Sequence, residues 1–373
     1  MARTNLPNMS RWALGIVVVI LVIIFFYFPV PYFVSQPGDA VDLSQLVKVE
    51  DGYSQEGSIM LTTIKMGKAN VISYAWAKVS NYVDLIEEKK VLAHLHDQEE
   101  YFRYQQKLMD LAKNTAIIAA FNQAGMPVEI INEGVVVMGI DHTLPAARLL
   151  KVGDVITHVD QMEIKTVEEL RDYLNTKPVG QEVTLTLRRG QMEEKATLKL
   201  EKLPRTDGEE ERVGIGISAI TNQTIYTDPP VFIDARKIGG PSAGLMFALQ
   251  IYNLLDPHDI TKGYRIAGTG TIDENGNVGK IGGVHQKVVA AHQAGADIFF
   301  APFEKGAQNS NYEVALKTAR ELESSMKVIP VDTLGEALAY LEQLPEKRVT
   351  QSDSMNRGGW LNSRNCANPG SLG

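Results

Sequence analysis

The sequence predicts an α/β domain built on a mixed sheet, together with a small β-rich domain, behind an N-terminal transmembrane helix. Three observations predict it. An uncharged apolar stretch opens the chain. Short β-branched runs separated by turn residues fill residues 126–205. Strand-like and helical patterns alternate through residues 206–348, which is the signature of an α/β layer architecture.

At 373 residues and 44% hydrophobic, the chain is long enough to bury two or three modest cores. Its net charge of −8, without any Lys/Arg-rich block, argues against a nucleic-acid partner. The single cysteine, Cys366, permits neither a disulfide within one chain nor a cysteine-based metal site.

From Trp12 to Gly38 no residue is charged, and Trp12 to Phe28 is almost solidly apolar. A spanning helix needs about 20 such residues, and Val30 to Val34 can complete the last turn or lie in the interface. Arg3 and Arg11 precede the run, whereas Asp39 and Asp42 follow it. The positive-inside rule then gives a single-pass cell-membrane protein, with residues 1–35 as cytoplasmic tail and anchor and everything beyond them outside the cell. A cleaved signal peptide is the alternative. It fits less well, because the run is long and no A-x-A site follows.

Residues 36–125 begin with strand-like segments, Ser58 to Lys65 and Asn70 to Val79, and continue as a helical pattern from about Asp97 to Ala124. Leu108, Leu111, Ala112, Ile117, Ala120 and Phe121 give that helix a packing face. This stretch reads as a structural scaffold and possibly as part of the sheet of the later domain.

In residues 126–205, the run Gly134 to Ile140 precedes Leu150-Lys-Val-Gly-Asp-Val-Ile156, where Gly153-Asp154 turns into a strand. Thr166-Val-Glu-Glu169 is a capping box, and two alternating strands follow around Arg189-Gly190-Gln191. This order resembles a PDZ domain of the type found in HtrA-like proteases. The resemblance implies that an extended peptide adds as a strand, with Gly134, Val135, Val136 and Val137 as the receiving edge.

The chemistry lies in residues 206–348. Lys237-Ile-Gly-Gly-Pro-Ser-Ala-Gly244 leads into the apolar helical run Leu245 to Leu255. Pro241 suits a helix start, so Ser242 falls in the first turn, among backbone N–H groups without intrahelical partners. The amides of Gly240 and Ser242 are candidate oxyanion donors. Taken alone, a Ser beside Pro at a helix start is more often a plain cap. A second constellation, Gly282-Gly-Val-His-Gln-Lys287, opens a helix closed by Gly295. Val284, Lys287, Val288 and Ala291 share one face, so Lys287 sits inside an apolar stripe. Desolvation lowers a lysine's pKa, and a neutral amine can take a proton from a serine.

Gly-Pro-Ser-Ala-Gly, then Thr-Gly in a strand, then Gly-Gly-x-x-x-Lys at an Ala-rich helix resembles the Lon peptidase domain. Lys287 follows Ser242 by 45 positions and Thr269 by 18, spacings that suit that family. The resemblance implies Ser242 as nucleophile, Lys287 as general base and Thr269 as the hydroxyl that orients the lysine. Gly239 stands where ATP-dependent Lon enzymes usually carry an acidic residue. No Gly-x-x-x-x-Gly-Lys-Ser/Thr string occurs, so ATP is not expected as a cofactor. Anchor, PDZ and Lon-type domain together resemble the PDZ-containing Lon-like membrane proteases of Gram-positive bacteria, the YlbL-like group. This implies an ATP-independent serine endopeptidase that cleaves exported or membrane-tethered polypeptides. The rival reading is a non-catalytic PDZ adaptor on a Lon-like scaffold.

No His-Glu-x-x-His occurs, and no metal is expected. Asp273-Glu-Asn-Gly-Asn277 reads as a hairpin turn rather than a calcium loop. Residues 349–373 lack periodicity and read as a disordered tail.

Overall fold

A computed structural model describes residues 9–93, 95–203 and 212–347. The C-terminal tail with Cys366, and Arg3 near the start, lie outside the described residues.

The central sheet is mixed. Its strands run in the order Lys327–Val331, Ile298–Pro302, Arg265–Gly268, Ser58–Asn70, Pro29–Asp42 and Asp84–Glu87. The first four are mutually parallel and the last two pairings are antiparallel. Three of these strands precede the PDZ-like stretch in the chain and three follow it. On one face the helices Gln98–Gln123, Gly244–Leu255 and Leu334–Glu342 enclose a core that includes Phe121, Phe247 and Phe300. On the other, Val284–Gln293 and Asn311–Glu321 cover Phe299 and Ala301. A second sheet, in the order Ile217–Thr227, Val128–Ile140, Val155–Val159, Glu182–Arg189 and Met192–Lys199, is closed by the helix Val167–Asn175.

The predicted membrane anchor is not what the structure forms. The first helix spans Met9–Tyr27 and stops there. Pro29 and Pro31 lack backbone donors and disfavour helix in the residue before them, and Pro29–Asp42 leaves as a strand paired on both edges. Val30 to Val34 therefore serve the sheet, with Phe33 buried in it. Among the described residues, no helix is long and apolar enough to cross a membrane. The transmembrane helix, the single-pass topology and the cell-surface location inferred from it are all corrected by this finding.

A second correction concerns Asn70 to Val79. Residues Val71–Ala77 are helical, because the Asn70 side chain accepts from the Ser73 amide and the Ser73 hydroxyl accepts from the Asn70 amide. A reciprocal cap of this kind outweighs the β-branched start of the segment.

Candidate active site

The sequence motif Gly239–Gly244 forms a tight turn. Gly240 has φ +87°, a conformation that favours glycine. Ser242 lies in the turn two residues before the helix Gly244–Leu255, slightly ahead of the first helical turn expected for it. Its carbonyl is fixed twice, accepting from the Gly270 amide at 2.9 Å and from the Thr269 hydroxyl at 3.0 Å. The Gly244 position is close against the next strand, since a Cβ there would lie 2.9 Å from the Ile272 nitrogen.

Lys287 reaches this turn from the helix Val284–Gln293, whose entry is set by Gly283 at φ +69°. Val284, Lys287, Val288 and Ala291 are all buried, so the lysine does occupy an apolar stripe. Its Nζ lies 2.6 Å from Ser242 Oγ and 3.0 Å from Thr269 Oγ1. Thr269 has one hydroxyl proton and donates it to the Ser242 carbonyl, so toward Lys287 it can only accept. One N–H of the amine is thereby fixed on Thr269, which leaves its lone pair free to face the serine hydroxyl. Among the described residues no carboxylate pairs with Lys287. Burial without a counter-charge pushes its pKa down to about 7. At neutral pH a substantial fraction of the amine is unprotonated.

The expected oxyanion pair separates. The Ser242 amide has no protein partner among the described residues, whereas the Gly240 amide donates to the main-chain carbonyl of Gln105 at 2.8 Å. Gln105 belongs to the long helix Gln98–Gln123. Its neighbour Gln106 donates through Nε2 to the Ile238 carbonyl at 3.3 Å, so this helix braces the turn before Ser242. The same packing explains Gly239, where a Cβ would stand 3.0 Å from the Gln105 Cβ. An acidic side chain would press on the helix, and Lys287 contacts Ser242 directly.

The dyad opens into a cleft of about 600 Å³ whose walls include Ile64, Met66, Ile86, Tyr101 and Met109. All five come from the stretch that reads as scaffold in the sequence. The strand Arg265–Gly268 stops opposite Leu61, so beyond that point Ser58–Asn70 is paired along one edge only. That open edge, from Thr62 to Met66, lines the cleft. Its role has no local sequence signal, because it depends on where a partner strand two hundred residues away ends.

In the small domain, Gly134, Val135, Val136 and Val137 do not form an edge. Their strand is paired with Ile217–Thr227 on one side and Val155–Val159 on the other. The covering strand comes from beyond residue 206, which local reading assigned to the other domain. The groove lies instead between the helix Val167–Asn175 and residues 213–219, with Val167, Leu170, Leu174, Ile215 and Ala219 on its walls. The Gly153-Asp154 motif is structural. Asp154 is buried, receives Nε and Nη2 of Arg189 at 2.8 and 2.7 Å, and accepts from the Lys151 amide. Asp273 is likewise turned inward on its hairpin, accepting from the Asn275 and Asn277 amides.

Residues 113–200 match the PDZ domain family, and residues 210–343 match the Lon protease (S16) C-terminal proteolytic domain. The chain joins a PDZ domain to a Lon-type proteolytic domain. Among curated relatives, Lon protease of Campylobacter concisus is 37% identical over 100 residues, or 26% of this chain and 11% of that protein. Lon protease of Metamycoplasma arthritidis is 30% identical over 156 residues, 42% of this chain and 17% of that protein. The chain thus spans less than a fifth of the length of these relatives. Among solved structures, the PDZ domain of an SdrC-like protein from Listeria monocytogenes is 34% identical, covering 23% of this chain and 87% of that one at a TM-score of 0.22. The two domains are consistent with a PDZ-containing Lon-like protease, and the proteolytic match supports a serine protease. Residues 29–112, which supply half the strands of the central sheet and much of the cleft, lie outside both matches.

Proposed function

We propose that this protein is a serine endopeptidase that works through a Ser242–Lys287 dyad, without ATP, on polypeptides held partly by its PDZ groove. The observation that carries the reading is the contact of 2.6 Å between the nucleophile and a buried lysine whose pKa is pushed down to about 7. In the neutral form, Lys287 takes the Ser242 proton as Oγ attacks the scissile carbonyl, and the developing oxyanion turns toward the Ser242 amide. The ammonium then protonates the departing amine, leaving an acyl-enzyme. A water deprotonated by Lys287 attacks the ester and releases the acid.

An extended substrate fits the open edge Thr62–Met66 by strand addition, with its side chains directed into the apolar cleft. The PDZ groove at residues 213–219 offers a second strand-addition site. The chain carries no nucleotide-binding loop, so unstructured chains are the substrates it can use alone.

The test is incubation of the full chain with an unstructured polypeptide, beside a Ser242→Ala control, with cleavage read by mass spectrometry. Cleavage that requires Ser242 and is unchanged by ATP and magnesium is the expected result. Equal cleavage by the Ser242→Ala protein would overturn the proposal.

A further inference from the structure

An acyl-transfer site needs preorganised donors where the oxyanion forms, and here one of the two obvious amides is engaged elsewhere. The Gly240 N–H is held by the Gln105 carbonyl, which leaves the Ser242 N–H alone. The Gln105 side chain lies beside the same turn. It lines the cleft, is half-buried, and has no hydrogen-bond partner among the described residues. A Cβ built on Gly240 meets only one atom within 4 Å, the Gln105 side-chain oxygen at 3.0 Å. A half-turn of the amide exchanges that oxygen for Nε2, a donor of two protons. The other polar side chains on the cleft walls are committed or in solvent. Tyr101 donates to the Met66 sulfur, Lys65 is paired with Asp39, and Lys237 is exposed.

We infer that Gln105 is a catalytic residue, its side-chain amide supplying the second oxyanion donor beside the Ser242 N–H. The inference rests on the serine-peptidase reading above. It assigns chemistry to a residue outside both matched stretches, on a helix whose C-terminal part enters the PDZ match. The helix is a sound platform, because its C-terminal half is anchored by Ala116, Ala120 and Phe121 in the main core while Tyr104 and Leu108 pack on the PDZ sheet. A donor on a rigid element costs no reorganisation when charge develops.

The experiment compares full-chain Gln105→Glu and Gln105→Met, which keep the length of the side chain and remove the N–H, with wild type on one short fluorogenic peptide. Removing an oxyanion donor costs about a hundredfold or more in kcat, and KM should change little. The affinity for a peptide boronic acid, which mimics the tetrahedral intermediate, should fall in parallel with kcat/KM, and the pH midpoint set by Lys287 should stay in place for Gln105→Met. Two variants keep the test open where one misfolds, with folding checked by circular dichroism. A folded Gln105→Met protein with kcat within threefold of wild type overturns the inference. So does a loss confined to KM, or a loss seen only in Lys237→Met. If Ser242→Ala cleaves as well as wild type, the peptidase reading itself fails, and that outcome is distinct from a failure at Gln105.

Discussion

Asp154, on the turn that enters a PDZ strand, and Lys287, beside Ser242, are buried to nearly the same degree and solvated in opposite ways. Asp154 is met by a fork of guanidinium N–H groups and a backbone amide. Its charge is fully compensated, and it organises the domain. Lys287 is met by two neutral hydroxyls and, among the described residues, no carboxylate. The contrast shows how one protein uses the same physical cost in two ways. A buried charge with a complete set of partners is architecture, and one left without a counter-charge is, in the proposed mechanism, a base poised near neutral pH.

The largest expected effects come from removing the uncompensated member. Ser242→Ala and Lys287→Ala should each lower turnover of a short peptide by at least about a thousandfold, and the double variant should be no worse, since the two act as a unit. Lys287→Arg should fail as well, because a guanidinium stays protonated. A folded Lys287→Ala protein that retains turnover would break the comparison at its centre.

Stability should divide the two sites in the opposite sense. Arg189→Met strands the Asp154 carboxylate and should destabilise the protein by about 3 kcal/mol. Lys287→Met removes a charge the fold pays to bury, and should raise the denaturation midpoint at pH 7. The folded pKa of Lys287 is about 7 against 10.5 when unfolded. The unfolded chain therefore holds the extra proton between those values, and stability should climb with pH through that window. The penalty is fully present below it. Urea titrations across pH would show this slope in wild type and its loss in Lys287→Met.

Activity should follow the same titration. Only the neutral amine is a base, so kcat/KM should rise about tenfold per pH unit below a midpoint near 7 and level off above it. A profile flat from pH 5 to 9 would show that Lys287 is not the base.

Thr269→Val should cost roughly tenfold in kcat, because it orients the amine without exchanging a proton with substrate. The midpoint should move to lower pH, since the ammonium loses an acceptor. The smallest effect belongs to the PDZ groove. Leu170→Lys, on its wall, should raise KM several-fold for a long unstructured polypeptide, with little change for a short peptide. Equal losses for both substrates would mean that the groove is structural.

Ser242, Lys287 and Thr269 are legible in the sequence because each stands in a short string whose glycines and helical period are local properties. The chain could state that a lysine lies in an apolar stripe. It could not state that the amine ends 2.6 Å from a hydroxyl, which depends on two helices meeting across a strand end. The same limit explains the misreadings. Residues 12–34 look like one apolar span, yet Pro29 and pairing with Ser58–Asn70 turn the last part into a strand. The run Gly134–Val137 looks like an open edge until Ile217–Thr227 covers it.

By itself, the sequence determined the α/β and β-rich composition of the two parts, their order along the chain, and which side chains could serve as nucleophile and base. Tertiary structure alone decided where strands lack partners, which amides are already engaged, and that Gln105 stands over Gly240. The physical reason is range. Capping, turn formation and amphipathic period act within a few residues, so they are written where they act. Edge exposure, desolvation of a lysine and donor availability are set by groups brought together from distant positions, and no local pattern carries them.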